Sequence, residues 1–187
     1  SYKRMWIGTF GQGIFSYEQS YFYYYPLEET DYLSVSFITE DLNQNIWFAT
    51  AGGALYYDGE KFYVFDETQG LNNNNVTYIL QDAWGDLWFS SLDAEYLTRY
   101  NGMDVELISL FNGMPTTSVY SMVQDLERNI WFTTIGAGIV KYNGVEMQTI
   151  KTPNGIKDNM VICSMIDKEG NLWFGTYEQG INVYIPK

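Results

Sequence analysis

The chain has 187 residues, of which 46% are hydrophobic, 18% aromatic and 18% charged, a mixture that supports a packed core and argues against disorder. Its net charge of −13, with ten scattered cations and no basic patch, opposes nucleic acid and anionic membrane surfaces as partners. The absence of histidine excludes Ser-His-Asp and Cys-His catalysis and His-ligated zinc within the chain.

No apolar run approaches the roughly 20 residues of a membrane-spanning helix. No secretory leader is legible, and a start on Ser1 rather than Met is expected of a processed or excised chain. Cys163 is the single cysteine, so no intrachain disulfide forms, and a small buried hydrophobe is the expected role.

Taken in chain order, the elements repeat. The motif of Trp, an apolar residue, a small residue and Thr or Ser occurs as WIGT at Trp6, WFAT at Trp47, WFSS at Trp88, WFTT at Trp131 and WFGT at Trp173, with spacings of 41, 41, 43 and 42. The first unit (residues 1–34) opens on the Trp6 strand, turns at FGQG (10–13), runs to Tyr17 and continues into SYFYYYP (20–26). That last run reads as an outer strand with some tyrosines facing solvent. The second unit (35–75) begins at Val35, reaches Asp41 six residues before Trp47, and ends its third strand at Tyr57 before Asp58-Gly59 and KFYVF (61–65). The third (76–118) and fourth (119–160) repeat this plan from Val76 and Val119, with Asp82 and Asp125 six residues before Trp88 and Trp131. The fifth (161–187) carries Val161, Asp167 and Trp173 and runs to Lys187.

Each full unit therefore reads as four short strands, A to D. Strand A starts at the Val, B carries the Trp, C ends at the Tyr and D follows the Asp-Gly or Asn-Gly, which predicts a type I′ hairpin turn. The first unit has no strand A and the last no strand D, so three, four, four, four and three strands are expected. Strand B is apolar on both faces, as in IWFAT, where Ile46 and Phe48 oppose Trp47 and Ala49. Burial on both faces at a constant period predicts an all-β fold, a β-propeller of four-stranded antiparallel blades in five units of about 42 residues. Residues 1–187 are then a single propeller or an arc of a larger one. The arc is completed by neighbouring blades of a longer parent chain or by a second copy, as in a homodimer.

The pattern D-x-x-G-N-[IL]-W-F-x-T, followed by a turn, an apolar run and Tyr, stands most fully in DKEGNLWFGTYEQGINVY (167–184) and again in DLNQNIWFATAGGALYYDG (41–59). It resembles the two-component regulator propeller repeat, as does GLNNNNV (70–76). The resemblance covers nearly the whole chain. It implies the extracytoplasmic, periplasmic sensor portion of a hybrid two-component system of the kind found in Bacteroidetes, responding to glycan breakdown products. It implies an oligosaccharide as ligand; the absence of histidine, of a legible catalytic constellation and of a membrane-length apolar run adds the expectation of no catalytic residue, no cofactor, no metal and no membrane contact within this segment.

Residues at repeated positions read as scaffold. Asp41, Asp82, Asp125 and Asp167 are expected to accept backbone N–H bonds in the A–B turn, and Trp6, Trp47, Trp88, Trp131 and Trp173 to pack between blades. Function is expected where the repeats disagree. Antiparallel order puts the B–C and D–A loops together at one end. That end offers Phe10, Gln12, Asp93, Glu95, Thr116, Thr117, Lys157, Asp158, Asn159, Tyr177, Glu178 and Gln179 as candidate ligand contacts, amides and carboxylates beside aromatics that suit sugar hydroxyls and ring faces. Asn72–Asn75 reads as a turn. A propeller glycosidase or lyase is the competing class. The A–B turn is similar to a sialidase Asp-box, but such enzymes need three converging arginines, and Arg4, Arg99 and Arg128 occupy different repeat positions.

Overall fold

Each Trp motif folds as the second strand of its antiparallel sheet in the full blades. A computed structural model describes residues 4–27, 30–110, 118–153 and 155–186. Blade 1 contains β1 (Met5–Gly8), β2 (Ile14–Glu18) and β3 (Tyr21–Tyr25). Blade 2 contains β4 (Val35–Glu40), β5 (Ile46–Thr50), β6 (Gly53–Tyr57) and β7 (Phe62–Phe65). Blade 3 contains β8 (Val76–Gln81), β9 (Leu87–Ser91), β10 (Tyr96–Tyr100) and β11 (Val105–Ser109). Blade 4 contains β12 (Val119–Gln124), β13 (Ile130–Thr134), β14 (Ile139–Tyr142) and β15 (Met147–Ile150), and blade 5 contains β16 (Val161–Ile166), β17 (Leu172–Thr176) and β18 (Ile181–Tyr184). Each blade is a meander in which sequential strands pair. Inner strands lie side by side, β4 against β8, β8 against β12 and β12 against β16, while β1 faces β4.

One clip recurs within each of blades 2 to 5. Asp41 accepts hydrogen bonds from the backbone N–H of Asn43 (2.9 Å) and Asn45 (2.8 Å), from the Asn45 carboxamide (2.8 Å) and from the Trp47 indole (2.8 Å). The same indole bond recurs from Trp88 to Asp82 at 2.8 Å, from Trp131 to Asp125 at 2.6 Å and from Trp173 to Asp167 at 2.8 Å. The clip closes the A–B turn and satisfies an indole N–H that would otherwise be orphaned in the core. The repeat Trp of each of blades 1 to 4 packs toward the Phe of the next blade. Trp6 meets Phe48 at 5.4 Å, Trp47 meets Phe89 at 5.6 Å and Trp131 meets Phe174 at 5.9 Å between ring centroids. Trp88 and Phe132 share one core cluster.

A second device ties inner strands together. A register shift follows the Val of every strand A, between Val35 and Phe37, Val76 and Tyr78, Val119 and Ser121, and Val161 and Cys163. Such a bulge re-aims a side chain. Ser36 donates its hydroxyl to Val76 O (2.9 Å) and Thr77 to Val119 O (2.8 Å), each in the next blade. At the far end of strand A, Gln81 accepts from the Leu42 N–H and Gln124 from the Ala83 N–H of the preceding blade.

Three sequence expectations need correction. The C–D connections are not two-residue type I′ turns. Tyr57 pairs with Phe62, Tyr100 with Val105 and Tyr142 with Met147, leaving four-residue loops. The Asx side chain folds each loop by accepting two backbone N–H bonds, as Asp58 does from Glu60 and Lys61, and the left-handed residue is the following glycine alone. Cys163 is exposed rather than buried. It shares the β16–β17 face of Trp173, against which no following blade of this chain packs. For the same reason Trp173 is 37% exposed, whereas Trp47, Trp88 and Trp131 are 1–4% exposed.

Replacing Asp82 by Ala should cost about 3 kcal/mol in urea unfolding, because a buried indole N–H and the turn N–H groups lose their acceptor. Asp167→Ala should cost clearly less, since water reaches the Trp173 indole. Equal losses at the two positions would show that burial of the Trp does not set the strength of the clip.

Candidate functional site

The B–C and D–A loops lie together at one end of the blades. Leu92 N–H donates to Asn75 O (2.8 Å), Gly136 N–H to Asn159 O (2.9 Å) and Tyr177 N–H to Met160 O (2.9 Å). Phe10, Gln12, Glu95, Lys157, Glu178 and Gln179 are exposed there, and Tyr177 is too. Several predicted ligand contacts are already occupied within the fold. Asp158 accepts from Met160 N–H (2.9 Å) and Glu178 N–H (3.3 Å). The Asn159 carboxamide is spent on Thr152, accepting from its N–H (2.9 Å) and donating to its hydroxyl (3.0 Å). Asp93, in a left-handed conformation, is linked through its N–H and carboxylate to the Ser118 hydroxyl. The structure thus gathers Lys157, Asp158 and Asn159 beside Tyr177, Glu178 and Gln179, and leaves Phe10 and Gln12 in the loop of blade 1. Thr116 and Thr117 lie outside the described residues. The Asn72–Asn75 run is a bonded turn, with Asn73 accepting from Asn75 N–H and Asn74 from Glu67 N–H.

Clefts open at the opposite end, between neighbouring A–B and C–D turns, and none of the predicted contacts lines them. One of them, of ≈ 610 Å³, lies between blades 2 and 3. Its floor is apolar, from buried Trp47, Phe65 and Leu87, and its walls are Tyr56 and Tyr100. Carboxamides of Asn43, Asn45, Gln69 and Asn101 surround it. Asn101 uses its oxygen to bind Met103 and Asp104 N–H groups, and Gln69 uses its oxygen to bind Asp66 N–H. Among the described residues no hydrogen bond engages either amide nitrogen, nor the Asn43 carboxamide.

The wall of this cleft includes the strand C residue opposite the Trp, a register position that varies from blade to blade. That position holds Ser16, Tyr56, Arg99, Lys141 and Val183 in the five blades. In blades 3 and 4 a cation covers the indole, Arg99 at 5.5 Å from Trp88 and Lys141 at 5.2 Å from Trp131. In blade 2, Tyr56 stacks on Trp47 (4.6 Å, 29°) and Tyr63 stacks on Tyr56 (4.8 Å, 10°), with Lys61 4.7 Å from the Tyr63 ring. An aromatic ladder therefore runs from buried Trp47 outward, with Tyr56 in the cleft wall.

A second cleft, of ≈ 240 Å³, separates blades 3 and 4 and is lined by Trp84, Arg99, Arg128, Tyr142 and Asn143. Arg99 is held by Asp86 (2.6 Å) and Glu106 (3.3 Å). Trp84, 57% exposed, lies 5.1 Å from the Arg128 guanidinium. Sequence reasoning weighed the loops and passed over these turn residues. The available signal was that Trp84 is the single tryptophan outside the repeat register. Among the described residues, no three Cys, Asp or Glu side chains converge as a metal site.

Burial raises the hydroxyl pKa of Tyr56 and of Tyr142 above the ordinary phenol value, with nearby Tyr63 and Glu106 respectively adding to the shift. A raised folded-state value means that the contribution of these groups to stability is complete below the unfolded value near ~10 and is lost as pH rises through the folded one. Alkaline titration followed by phenolate absorbance should show a late-ionising class, reduced in amplitude by Tyr56→Phe. Simultaneous ionisation of all tyrosines would contradict the packing of both cleft walls.

Residues 70–93 and 155–178 match the family described as two component regulator propeller. Among curated proteins no sequence matches the chain. In fold the chain is similar to the extracellular domain assigned to the hybrid two component system BT3049 of B. thetaiotaomicron, with 25% identity and a TM-score of 0.84 over 96% of this chain and 26% of that one. It is similar also to the extracellular domain assigned to the one component system BT4673 of the same organism, with 20% identity and a TM-score of 0.78 over 97% and 26% of the two chains. Catalytically inactive H270A virginiamycin B lyase of Staphylococcus aureus is similar at 18% identity, with a TM-score of 0.71 over 93% of this chain and 63% of that one. The chain thus spans about a quarter of the length of the two B. thetaiotaomicron domains. No described helix is long and apolar enough to cross a membrane.

Proposed function

We propose that this chain, built on two-component regulator propeller repeats, is a non-catalytic part of an extracytoplasmic sensor, periplasmic in a Bacteroidetes cell, that responds to an oligosaccharide. The cleft between blades 2 and 3 carries the reading. It is a concave site with an apolar floor and a few convergent polar groups, located where the repeats diverge. Unengaged carboxamide donors and a tyrosine hydroxyl suit the alternating hydroxyls of a sugar, and the floor suits its C–H face. A propeller lyase is disfavoured because the H270A form of the similar lyase is inactive and this chain contains no histidine. A sialidase is disfavoured because Arg4 is engaged by Glu18 in blade 1 while Arg99 is engaged by Asp86 in blade 3.

Calorimetric screening with neutral oligosaccharides should find a saturable ligand. Asn43→Glu places in the cleft the residue that blades 4 and 5 carry at this turn position (Glu127 and Glu169), so the fold is kept. It should weaken binding about tenfold, or 1.4 kcal/mol. Absence of any saccharide ligand for the parent protein would overturn the reading.

A second reading is favoured by the end faces. Blade 5 presents Met165, Trp173, Ile181 and Val183 to solvent, and blade 1 presents Met5, Tyr17, Phe22 and Tyr24. The first is the face that packs forward in blades 2 to 4, and the second the face that receives it. The chain would then act as an arc completed by other blades or by a second copy. Light scattering should show concentration-dependent association that Trp173→Glu abolishes. A strict monomer at all concentrations would dismiss pairing between copies.

A further inference from the structure

In the four A–B turns, the third residue adopts a left-handed conformation. Glycine fills it in blades 3 and 5, as Gly85 (φ 92°) and Gly170 (φ 84°). Blade 2 has Gln44 (φ 68°) and blade 4 has Arg128 (φ 70°). A non-glycine residue here carries backbone strain on the order of 1 kcal/mol. Arg128 also differs from the other two arginines of the chain. Arg4 is bonded to Glu18 at 3.0 Å and Arg99 to Asp86 and Glu106, whereas among the described residues no carboxylate lies within ion-pair distance of Arg128. In a chain of net charge −13 this leaves one exposed guanidinium unneutralised, held over a ring.

The ring is Trp84, one position earlier in the preceding blade's turn. That position holds Asn43, Glu127 and Glu169 elsewhere, so both partners of the pair are singular among the repeats. The pair faces a cleft whose opposite side is the C–D turn of blade 4. There the Asn143 oxygen is occupied by Val145 and Glu146 N–H groups, leaving its amide nitrogen as a donor. A charged planar donor, a half-exposed indole and an amide donor thus surround a cavity that admits one ring-sized group.

We infer that the Trp84–Arg128 cleft binds the anionic residue of an acidic saccharide, its carboxylate or sulfate ester on Arg128 and its ring against Trp84. Arginine pairs with such oxyanions in bidentate geometry, and the stacked indole holds the guanidinium in place. The negative remainder of the chain disfavours anions elsewhere, so a local site must supply the selectivity. This rests on the saccharide-sensing reading and gives one subsite its charge.

The test is calorimetric titration with trigalacturonate, with a sulfated trisaccharide, with a neutral trisaccharide and with free glucuronate, on the wild type, Arg128→Gly and Trp84→Glu. Both variants install residues that other blades already use at these positions, so folding is retained, and Arg128→Gly should raise thermal stability slightly. Acidic ligand should bind the wild type, more weakly at high salt, and at least tenfold more weakly to Arg128→Gly, with neutral ligand unaffected. Preference between trigalacturonate and the sulfated probe identifies the oxyanion. Acidic binding unchanged in Arg128→Gly overturns the site but leaves saccharide sensing standing. Glucuronate binding lost in Arg128→Gly, with no oligosaccharide bound by any form, keeps the anion site and dismisses saccharide sensing. No binding at all, with a fall in melting temperature for both variants, reduces the pair to a clasp between blades and overturns the inference.

Discussion

The architecture depends on one bond, from an indole N–H to an Asp carboxylate six residues earlier. The Trp must be buried to join two blades, and burial obliges its N–H to find an acceptor. The Asp sits where strand A ends, so the acceptor that satisfies the indole also gathers the N–H groups of the turn. Local turn formation and the packing of one blade on the next are thereby coupled through a single carboxylate. The clip in blade 5 keeps its geometry even where the Trp is solvated, and the Asp167 carboxyl is held below its ordinary value chiefly by the Trp173 indole. The bond is therefore intrinsic to the unit, and the neighbouring blade supplies the dryness that makes it strong.

Blades have two unlike faces, and this polarity governs the remainder. The Trp face always looks forward along the chain and the Phe face backward. Four junctions are made in this way, and two half-junctions are left, at Trp173 and at the Ile7 and Tyr17 side of β1 and β2. A large solvated Trp in a chain that buries three others follows from its place in blade 5, against whose Trp face no following blade of this chain packs, since its local sequence is the most regular of the five. The same polarity explains why bonds such as Ser36 to Val76 and Leu42 to Gln81 run between neighbouring blades, in registers that no single blade specifies.

Diversity is admitted only where the clip and the blade junction leave room. Strand B of the full blades is confined to apolar and small residues, because both its faces are buried. The strand C position over the Trp can, since it is half exposed, and it becomes a tyrosine ladder in blade 2 and a cation in blades 3 and 4. The middle residues of the A–B turn can also vary, because the Asp binds their backbone and not their side chains. Residues from these two permissive positions line both clefts, at the turn end rather than at the longer loops.

The period of about 42 residues, the strand count in each blade and the scaffold role of the Trp and Asp positions were legible in sequence, because they follow from hydrophobic pattern and turn chemistry repeated in register. What could not be read was anything that depends on the neighbour. The indole acceptor, the bulge after each Val and the hydroxyl bonds to the next blade's carbonyl involve partners whose spacing in sequence has no meaning until two sheets are packed. The expected ligand end illustrates the limit. Loop dissimilarity marked Asp158 and Asn159 as free contacts, yet tertiary structure engages both with backbone or Thr152. Conversely, Tyr56, Trp84 and Arg128 look like ordinary variation in single repeats. Only stacking across strands and across blades brings Tyr56 to the wall of one cleft, and Trp84 with an unneutralised Arg128 guanidinium to the wall of the next. The sequence by itself determined the unit and its order. The tertiary structure decided which faces and which polar groups remain unsatisfied, since satisfaction is a property of contacts and not of residues.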